Sequence, residues 1–210
     1  MKNIITIILS LIFNYLIVNA QTPKTVLKEG DLVFQDLDCG PLCDAIEAVT
    51  EGYKGRDFSH VAIIIKENNR LRAIEAIGTE VRSISIDSLF LRTPSKNKYL
   101  IMRLNDEYQY LLKSISKNSL KYIGKKYDDR FIMNNDSLYC SELVYEVFNA
   151  SIKKEQIFHL QEMTYKEPGT NKFFQAWIDY YKSLNSSIPE GLPGINPGLI
   201  SRSAYLHIVE

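Results

Sequence analysis

The stretch Asp136-Ser-Leu-Tyr-Cys-Ser-Glu-Leu-Val-Tyr-Glu-Val-Phe148 places a cysteine, Cys140, at the point where a loop becomes a helix. The apolar residues after it recur at the spacing of a buried helical face, and they are Leu143, Val144, Val147 and Phe148. The free N–H groups at a helix start favour a thiolate over a thiol. The stretch therefore predicts a buried helix that begins with either a nucleophile or a small apolar core residue.

The composition of the chain is that of a globular domain. Its 210 residues fit one domain, and 45% of them are apolar, which is enough to build a core. The formal net charge is zero and the charges are well mixed. Because no basic block is present, nothing in the sequence indicates nucleic acid as a partner.

Residues 1–20 have the pattern of a signal peptide. Lys2 gives a positive start, the run from Ile4 to Val18 is mostly apolar, and Val18-Asn19-Ala20 offers a cleavage point. The apolar run is about 15 residues, short for a membrane span, although an uncleaved anchor remains the alternative. We expect residues 21–210 to be exported as a single domain, periplasmic or secreted and bacterial, with no stable membrane insertion after cleavage.

The chain has three cysteines, so at least one thiol is free in an exported protein. Cys39 and Cys43 can pair only if the chain turns around Gly40-Pro41, because two cysteines on one regular helix rarely meet disulfide geometry. Their pairing therefore stays open. A zinc site is poorly supported, since there is no CxxC pair and the three histidines are scattered. We expect no metal.

Short β-branched and apolar runs predict a sheet. The predicted strands are Leu32–Gln35, Ser59–Lys66, Leu71–Ile77, Val81–Ile86, Tyr99–Leu104 and, as a possible last strand, Ser203–Ile208. Asn68-Asn69 predicts a hairpin turn between the second and third of these. Because the runs follow one another closely, an antiparallel sheet of five or six strands is favoured.

Helical patterns lie before, between and after these strands. The predicted helices start at Asp38 or Gly40 with Pro41 in the first turn, at Asp87, at Asp106 with Gly124 as its end, at Cys140 and at Lys172. Residues Ser187 to Gly198 hold three prolines and three glycines, and they predict a loop that borders a cleft. The predicted fold class is α+β, with helices packed on the sheet.

A thiol nucleophile needs a base within hydrogen-bond reach, and the base needs an orienting group. His60 is the best candidate base, because it begins a strand beside a loop and can lie at a sheet end facing a cleft. His159 lies in a polar segment and His207 lies in the last strand, so packing or surface roles are expected for both.

Glu75 is the best candidate orienting group, because burying a carboxylate inside an apolar strand costs several kcal/mol unless the charge is paired. The Asn68-Asn69 turn puts Glu75 opposite Ala62, about one pair along from His60, so the two side chains can touch if they share a face. The alternative is that Glu75 pairs with Arg72 or Arg82.

These segments resemble a known superfamily. Gly30-Asp-Leu-Val-Phe34, Ser59-His-Val-Ala-Ile63 and Ile74-Glu-Ala76 are similar to the strand series of NlpC-type papain-like cysteine peptidases. Cys140-Ser-Glu-Leu-Val144 resembles their nucleophile helix, and Gly124-Lys-Lys-Tyr127 resembles the stretch before it. The cysteine helix follows the strands here, as in the circularly permuted branch. That branch contains the YiiX/YaeF-like amidases, to which lecithin-retinol acyltransferase-like proteins are related.

The resemblance implies a permuted papain-like fold and roles for individual residues. It makes Cys140 the nucleophile, His60 the general base and Glu75 the third polar member. Tyr127 matches the tyrosine of the family and is expected to donate to the oxyanion or to contact substrate. Gln35, at the end of the first strand, is expected to face the cleft. No metal or organic cofactor is implied.

Three functions remain open at this point. The first is a cysteine amidase or peptidase acting on cell-wall peptides or amino-acid amides. The second is a thiol-dependent acyltransferase or lipid hydrolase, and the third is a noncatalytic peptide-binding domain. The expected partner is a peptide, amino-acid amide or lipid, with the oligomeric state left open. Substrate recognition is expected in the segment from Ser187 to Ser203, with Asn196 as a binding residue.

Overall fold

The computed structural model describes residues 27–152 and 156–209. The predicted signal peptide and its cleavage point lie outside these residues. None of the helices in the described ranges is both long enough and apolar enough to cross a membrane.

A six-stranded antiparallel sheet forms the centre of the molecule. The strands, in chain order, are β1 (Leu32–Gln35), β2 (His60–Glu67), β3 (Arg70–Ile77), β4 (Glu80–Ser85), β5 (Tyr99–Leu104), β6 (Gln161–Glu162), β7 (Pro193–Gly194) and β8 (Leu206–Ile208). The main sheet has the order β4-β3-β2-β1-β5-β8, and β6 pairs with β7 in a separate two-stranded sheet. The predicted main sheet is confirmed, whereas the small sheet was not predicted.

The hairpin of β2 and β3 sets the register of the sheet. Asn68 and Asn69 have φ angles of 48° and 62°, which a tight two-residue hairpin turn requires. Ile63 consequently pairs with Ile74, the register expected from the turn. One residue further along β3, Glu75 pairs with Arg82 of β4.

Six α-helices lie in the described part of the chain. They are α1 (Pro41–Ala48), α2 (Ile86–Leu91), α3 (Leu112–Leu120), α4 (Cys140–Asn149), α5 (Gln175–Ser183) and α6 (Pro197–Ser201). Helices α3 and α4 pack on β2 on one face of the sheet, whose core includes Phe34, Ile63 and Leu143. Helix α2 packs against β3 and β4 on the other face, where Leu89 and Phe90 meet Ala62 and Ala73.

Two details of the predicted helices and one of the predicted loop are wrong. Ser85 caps α2 by accepting a hydrogen bond from the Ser88 N–H, so the helix starts one residue before Asp87. The segment that begins at Asp106 is a 3-10 helix as far as Leu111 and becomes α-helical only after it. The segment predicted as a loop over residues 187–198 contains β7 and the start of α6, because short elements there are held by contacts with distant segments.

Cys39 and Cys43 form a disulfide with a Cα–Cα distance of 5.3 Å. Gly40 between them has a φ angle of 87°, and α1 begins only at Pro41. The chain therefore turns before the helix, which satisfies the condition set by the sequence for their pairing. The bond fastens the start of α1, and Cys140 is the free thiol of the described residues.

Candidate active site

Cys140 is the first residue of α4, and its side chain is buried beneath a cavity. Tyr139 before it is extended, so the chain changes from loop to helix at the cysteine, as the sequence predicts. The N–H groups of a first helical turn have no acceptor within the helix. They are therefore available to an oxygen bound beside the sulfur.

His60 begins β2 and lies between Cys140 and Glu75. Its Nε2 is 2.9 Å from Glu75 Oε2, and the Cys140 thiol lies near enough to the ring to raise the pKa of His60. Because Nε2 is engaged by the carboxylate, Nδ1 is the nitrogen available to the sulfur. Burial lowers the pKa of His60, but its interactions with Cys140 and Glu75 outweigh burial and raise the pKa above its usual range.

Glu75 is fully buried, and both of its oxygens are hydrogen-bonded. Oε1 accepts from Arg82 Nε at 3.1 Å, while Oε2 accepts from Arg92 Nη2 at 2.5 Å and bonds to His60. Burial raises the pKa of Glu75, but the bonds to His60 and Arg92 and their charges lower it to about 2. Of the two alternative partners that the sequence offered for Glu75, Arg82 pairs with it, whereas Arg72 bonds to Ser83.

Arg92, which follows α2, links Glu75 to Gln35. Its Nη2 donates to Gln35 Oε1 at 3.1 Å as well as to Glu75. Gln35 Nε2 in turn donates to Leu89 O at 3.0 Å and to Thr93 Oγ1 at 2.5 Å. Gln35 is fully buried and does not line the cavity beside Cys140, so the expectation that it faces the cleft is wrong. It lies opposite His60 in the β1–β2 ladder, on the side that α2 covers.

A cavity of about 470 Å³, counted with the solvent at its mouth, opens beside Cys140. Most of its walls are aromatic or aliphatic, including Ile46, Val49, Phe131, Met163, Tyr165 and Trp177. These residues come from α1 and its C-cap, the loop before α4, the segment after β6, and α5, which are far apart in sequence. The helical pattern around Trp177 predicts the helix that forms part of this wall. Only the folded structure shows that Trp177 lines the cavity beside Cys140.

Tyr127 and Asn196 also line the cavity. Burial and the nearby Cys140 raise the pKa of Tyr127 well above its usual value, which keeps its phenol a neutral donor. Asn196 Oδ1 accepts from the Leu199 N–H at 2.7 Å, so the oxygen of this amide caps α6. Both residues therefore lie at the wall of the cavity. The oxygen of the Asn196 side chain also stabilises the start of α6.

The start of α4 is joined to the segment before Asn196 by two hydrogen bonds. Ser141 Oγ donates to Ile195 O at 2.9 Å, and the Ile195 N–H donates to Tyr139 Oη at 3.2 Å. The residues on both sides of Cys140 thus fix the opposite wall of the cavity. Tyr139 and Ser141 were not predicted as part of the site.

Comparisons with known proteins bear on the family and the fold of the chain. The family model described as permuted papain-like amidase enzyme, YaeF/YiiX, C92 family, matches residues 26–209. The uncharacterized protein YiiX of Escherichia coli strain K12 is 30% identical over 127 residues, and the match spans 59% of this chain but only 58% of that protein. The crystal structure of the metalloprotein yiiX from Escherichia coli O157:H7 has a similar fold. Its TM-score is 0.69 at 23% identity, over 87% of this chain and 96% of that chain.

Proposed function

Because the chain belongs to the YaeF/YiiX family of permuted papain-like amidases, we propose that it is a cysteine hydrolase that cleaves amide bonds through Cys140, His60 and Glu75. The observation that carries the proposal is the buried pair of His60 and Glu75, joined at 2.9 Å, beside the Cys140 thiol, which together with Glu75 raises the pKa of His60. Its proposed substrates are cell-wall peptides or amino-acid amides.

The first half of the reaction makes a thioester. His60 takes the proton of Cys140, and the thiolate attacks the carbonyl carbon of the substrate to form a C–S bond. The imidazolium then gives this proton to the departing nitrogen as the C–N bond breaks. Glu75 holds the ring orientation and stabilises its positive charge, which agrees with the raised pKa of His60.

The second half releases the acyl group. His60 removes a proton from a water molecule, whose oxygen bonds to the thioester carbon as the C–S bond breaks. The sulfur leaves as thiolate and is ready for the next substrate. During both halves the backbone N–H of Cys140 is placed to donate to the oxyanion, and Tyr127 is the proposed second donor.

The structurally similar yiiX protein is described as a metalloprotein. In residues 27–152 and 156–209 of this chain, no three His, Cys, Asp or Glu side chains form a group that could hold an ion. Glu75, the buried carboxylate of the site, already has both oxygens bonded to basic side chains. These residues do not fit a metal site, and no step is assigned to a metal.

We also propose that the protein is exported, to the periplasm or the medium. The Cys39–Cys43 disulfide supports an oxidising compartment, because such bonds are rare in reducing cytosol. N-terminal sequencing of the mature protein tests this, with Gln21 as the expected first residue. A protein that starts at Met1 in the cytosolic fraction would contradict it.

A second candidate function is acyl transfer or lipid-ester hydrolysis by the same thiol. The apolar walls of the cavity favour it, because they suit an acyl chain. The two candidates differ in the bond that is broken and in whether water or another nucleophile accepts the acyl group.

The test is turnover by the wild type and by Cys140→Ala of muropeptides, aminoacyl amides and phospholipids. Loss of the nucleophile is expected to lower kcat by at least about 10⁴-fold. The double variant Cys39→Ser/Cys43→Ser is the matched control, because it removes the two disulfide-bonded cysteines and leaves the Cys140 thiol in place. Equal turnover by wild type and Cys140→Ala would contradict the proposal, and an absence of any turnover would favour the noncatalytic alternative.

A further inference from the structure

The cavity beside Cys140 has no charged side chain among the described residues that line it. None of these residues is Asp, Glu, Lys, Arg or His. Its polar side-chain groups are hydroxyls, the Asn196 amide, the Trp177 indole N–H and the Cys140 thiol. Burial raises the pKa of Tyr165 to about 12, so this phenol also stays neutral. A charged substrate group would lose water here without gaining an ionic partner.

The position of the cavity indicates which part of a substrate it takes. Cys140 and Ser59 line it, but His60 does not. His60 must reach the departing group to protonate it, so that group lies on the imidazole side of the sulfur. The group that stays attached to the sulfur as a thioester therefore lies on the other side, where the cavity is.

We propose that this cavity selects a neutral, apolar acyl group. An example is the acyl group of an amino acid with an aliphatic or aromatic side chain, whose carbonyl carbon forms the scissile amide bond. This inference rests on the proposed thiol hydrolase and specifies its substrate class. The rings of Trp177 and Tyr165 pack edge to face with their centroids 5.0 Å apart, and they form an aromatic wall for such a group.

The test compares substrates that share one leaving group. They are the 7-amino-4-methylcoumarin amides of N-acetyl-norleucine, N-acetyl-lysine and N-acetyl-glutamate. Norleucine and lysine have the same straight carbon chain and differ in the terminal ammonium. We expect kcat/KM for the norleucyl amide to exceed that for both charged amides by at least about 30-fold, with every rate lost in Cys140→Ala.

Val49→Asp tests the site from the side of the protein. Val49 ends α1 at the cavity wall and is partly exposed, so a carboxylate can be placed there without being fully buried. The lysyl amide should gain about tenfold in kcat/KM relative to the norleucyl amide. Ile123→Asp, at an exposed apolar position that does not line the cavity, is the matched control and should leave the ratio unchanged.

Binding to Cys140→Ala separates recognition from chemistry. Titration with N-acetyl-norleucinamide and N-acetyl-lysinamide should give a lower Kd for the apolar amide by about tenfold or more. Cys140-dependent turnover of the charged amides at equal or higher kcat/KM would overturn the inference and leave the hydrolase intact. Failure of all three amides to turn over would overturn the hydrolase proposal for amides. Preferential binding of norleucinamide would then still support the apolar site, and equal binding would overturn it.

Discussion

The two sides of the His60 ring are built in opposite ways. On the carboxylate side, Glu75 is fully buried and accepts hydrogen bonds from His60, Arg82 and Arg92. On the thiol side, Cys140 lies at a helix start beneath a cavity whose walls are mostly apolar and carry no charged side chain among the described residues. One side is filled by ion pairs and hydrogen bonds, and the other is left open.

This difference separates two tasks. A buried carboxylate with all its acceptors used can hold an imidazole in one orientation, because any rotation would leave a charge unpaired. An open apolar cavity holds nothing in place until a substrate fills it. Changes on the carboxylate side should therefore lower kcat, and changes on the thiol side should alter which substrate is chosen.

The largest effect is expected for Glu75→Gln. The amide keeps the shape of the side chain but cannot hold the imidazolium by charge, so kcat should fall by about 10³–10⁴-fold. Steady-state kinetics on the norleucyl amide measures this loss. Because Arg82 and Arg92 lose their anionic partner, the melting temperature should also fall.

Glu67→Gln makes the same change at the other end of β2, where the carboxylate is only partly buried. It should leave kcat within about twofold, as most surface substitutions do. If Glu75→Gln behaves like Glu67→Gln in kcat while the fold stays intact, the carboxylate side has no part in orienting His60, and the contrast between the two sides disappears.

A smaller effect is expected for Arg92→Met. Arg92 touches no substrate and is a positioning residue, because it acts through Glu75 and Gln35. Its loss should lower kcat by about 10–100-fold with little change in KM, as the carboxylate loses one fixed donor. The pKa of Glu75 should rise, so the acid limb of the kcat profile should move to higher pH.

Arg82→Met is the matched comparison for this positioning effect. The Arg82 side chain is 45% exposed and that of Arg92 is 25% exposed, so solvent screens the Arg82 pair more strongly. Arg82→Met should lower kcat by less than about fivefold. Arg92→Lys should have a higher kcat than Arg92→Met, because it keeps a positive charge near Glu75. An equal fall in kcat for Arg82→Met and Arg92→Met would contradict the assignment of Arg92 as the positioning residue.

The sequence predicted which residues lie at the centre of the candidate site better than it predicted the residues that support them. The Asn68-Asn69 turn and the β-branched run of β2 are local signals, and together they determine which residues of β3 lie near His60. Cys140 carries a second local signal, a loop followed by an apolar helical face. These short-range patterns are enough to bring three polar side chains together, because the hairpin and helix α4 pack directly on each other.

Arg92 and Gln35 show why the supports were missed. Sequence alone does not tell on which face of the sheet α2 docks, and that docking brings Arg92 to Glu75. Gln35 was placed in the cleft because it ends β1, but its amide donates to Leu89 O of α2 and to Thr93 Oγ1, which holds the side chain under α2 instead. The two-residue strand β7 has no periodicity to detect, so the cavity wall that follows it was predicted only as a loop.

The smallest effect is expected for Glu142→Gln on the thiol side. Glu142 lies in the first turn of α4, it is buried, and its Oε2 has no hydrogen-bond partner among the described residues. Burial and the charge of Asp128 raise its pKa to about 8, against weaker opposition from the backbone N–H groups of Tyr139 and Asn134. This carboxyl is therefore protonated in the folded protein at neutral pH.

The sign of the pH effect follows from this raised pKa. Between the unfolded pKa of 4.5 and the folded pKa of about 8, the folded state binds the extra proton, so stability falls as pH rises. Glu142→Gln should flatten this fall by about 2 kcal/mol between pH 5.5 and 7.5, measured by urea unfolding. Glu162→Gln, an exposed carboxylate on β6, should leave the slope as in the wild type. An unchanged slope in Glu142→Gln would mean that Glu142 is paired like Glu75, and the two sides of the ring would then handle buried charge in the same way.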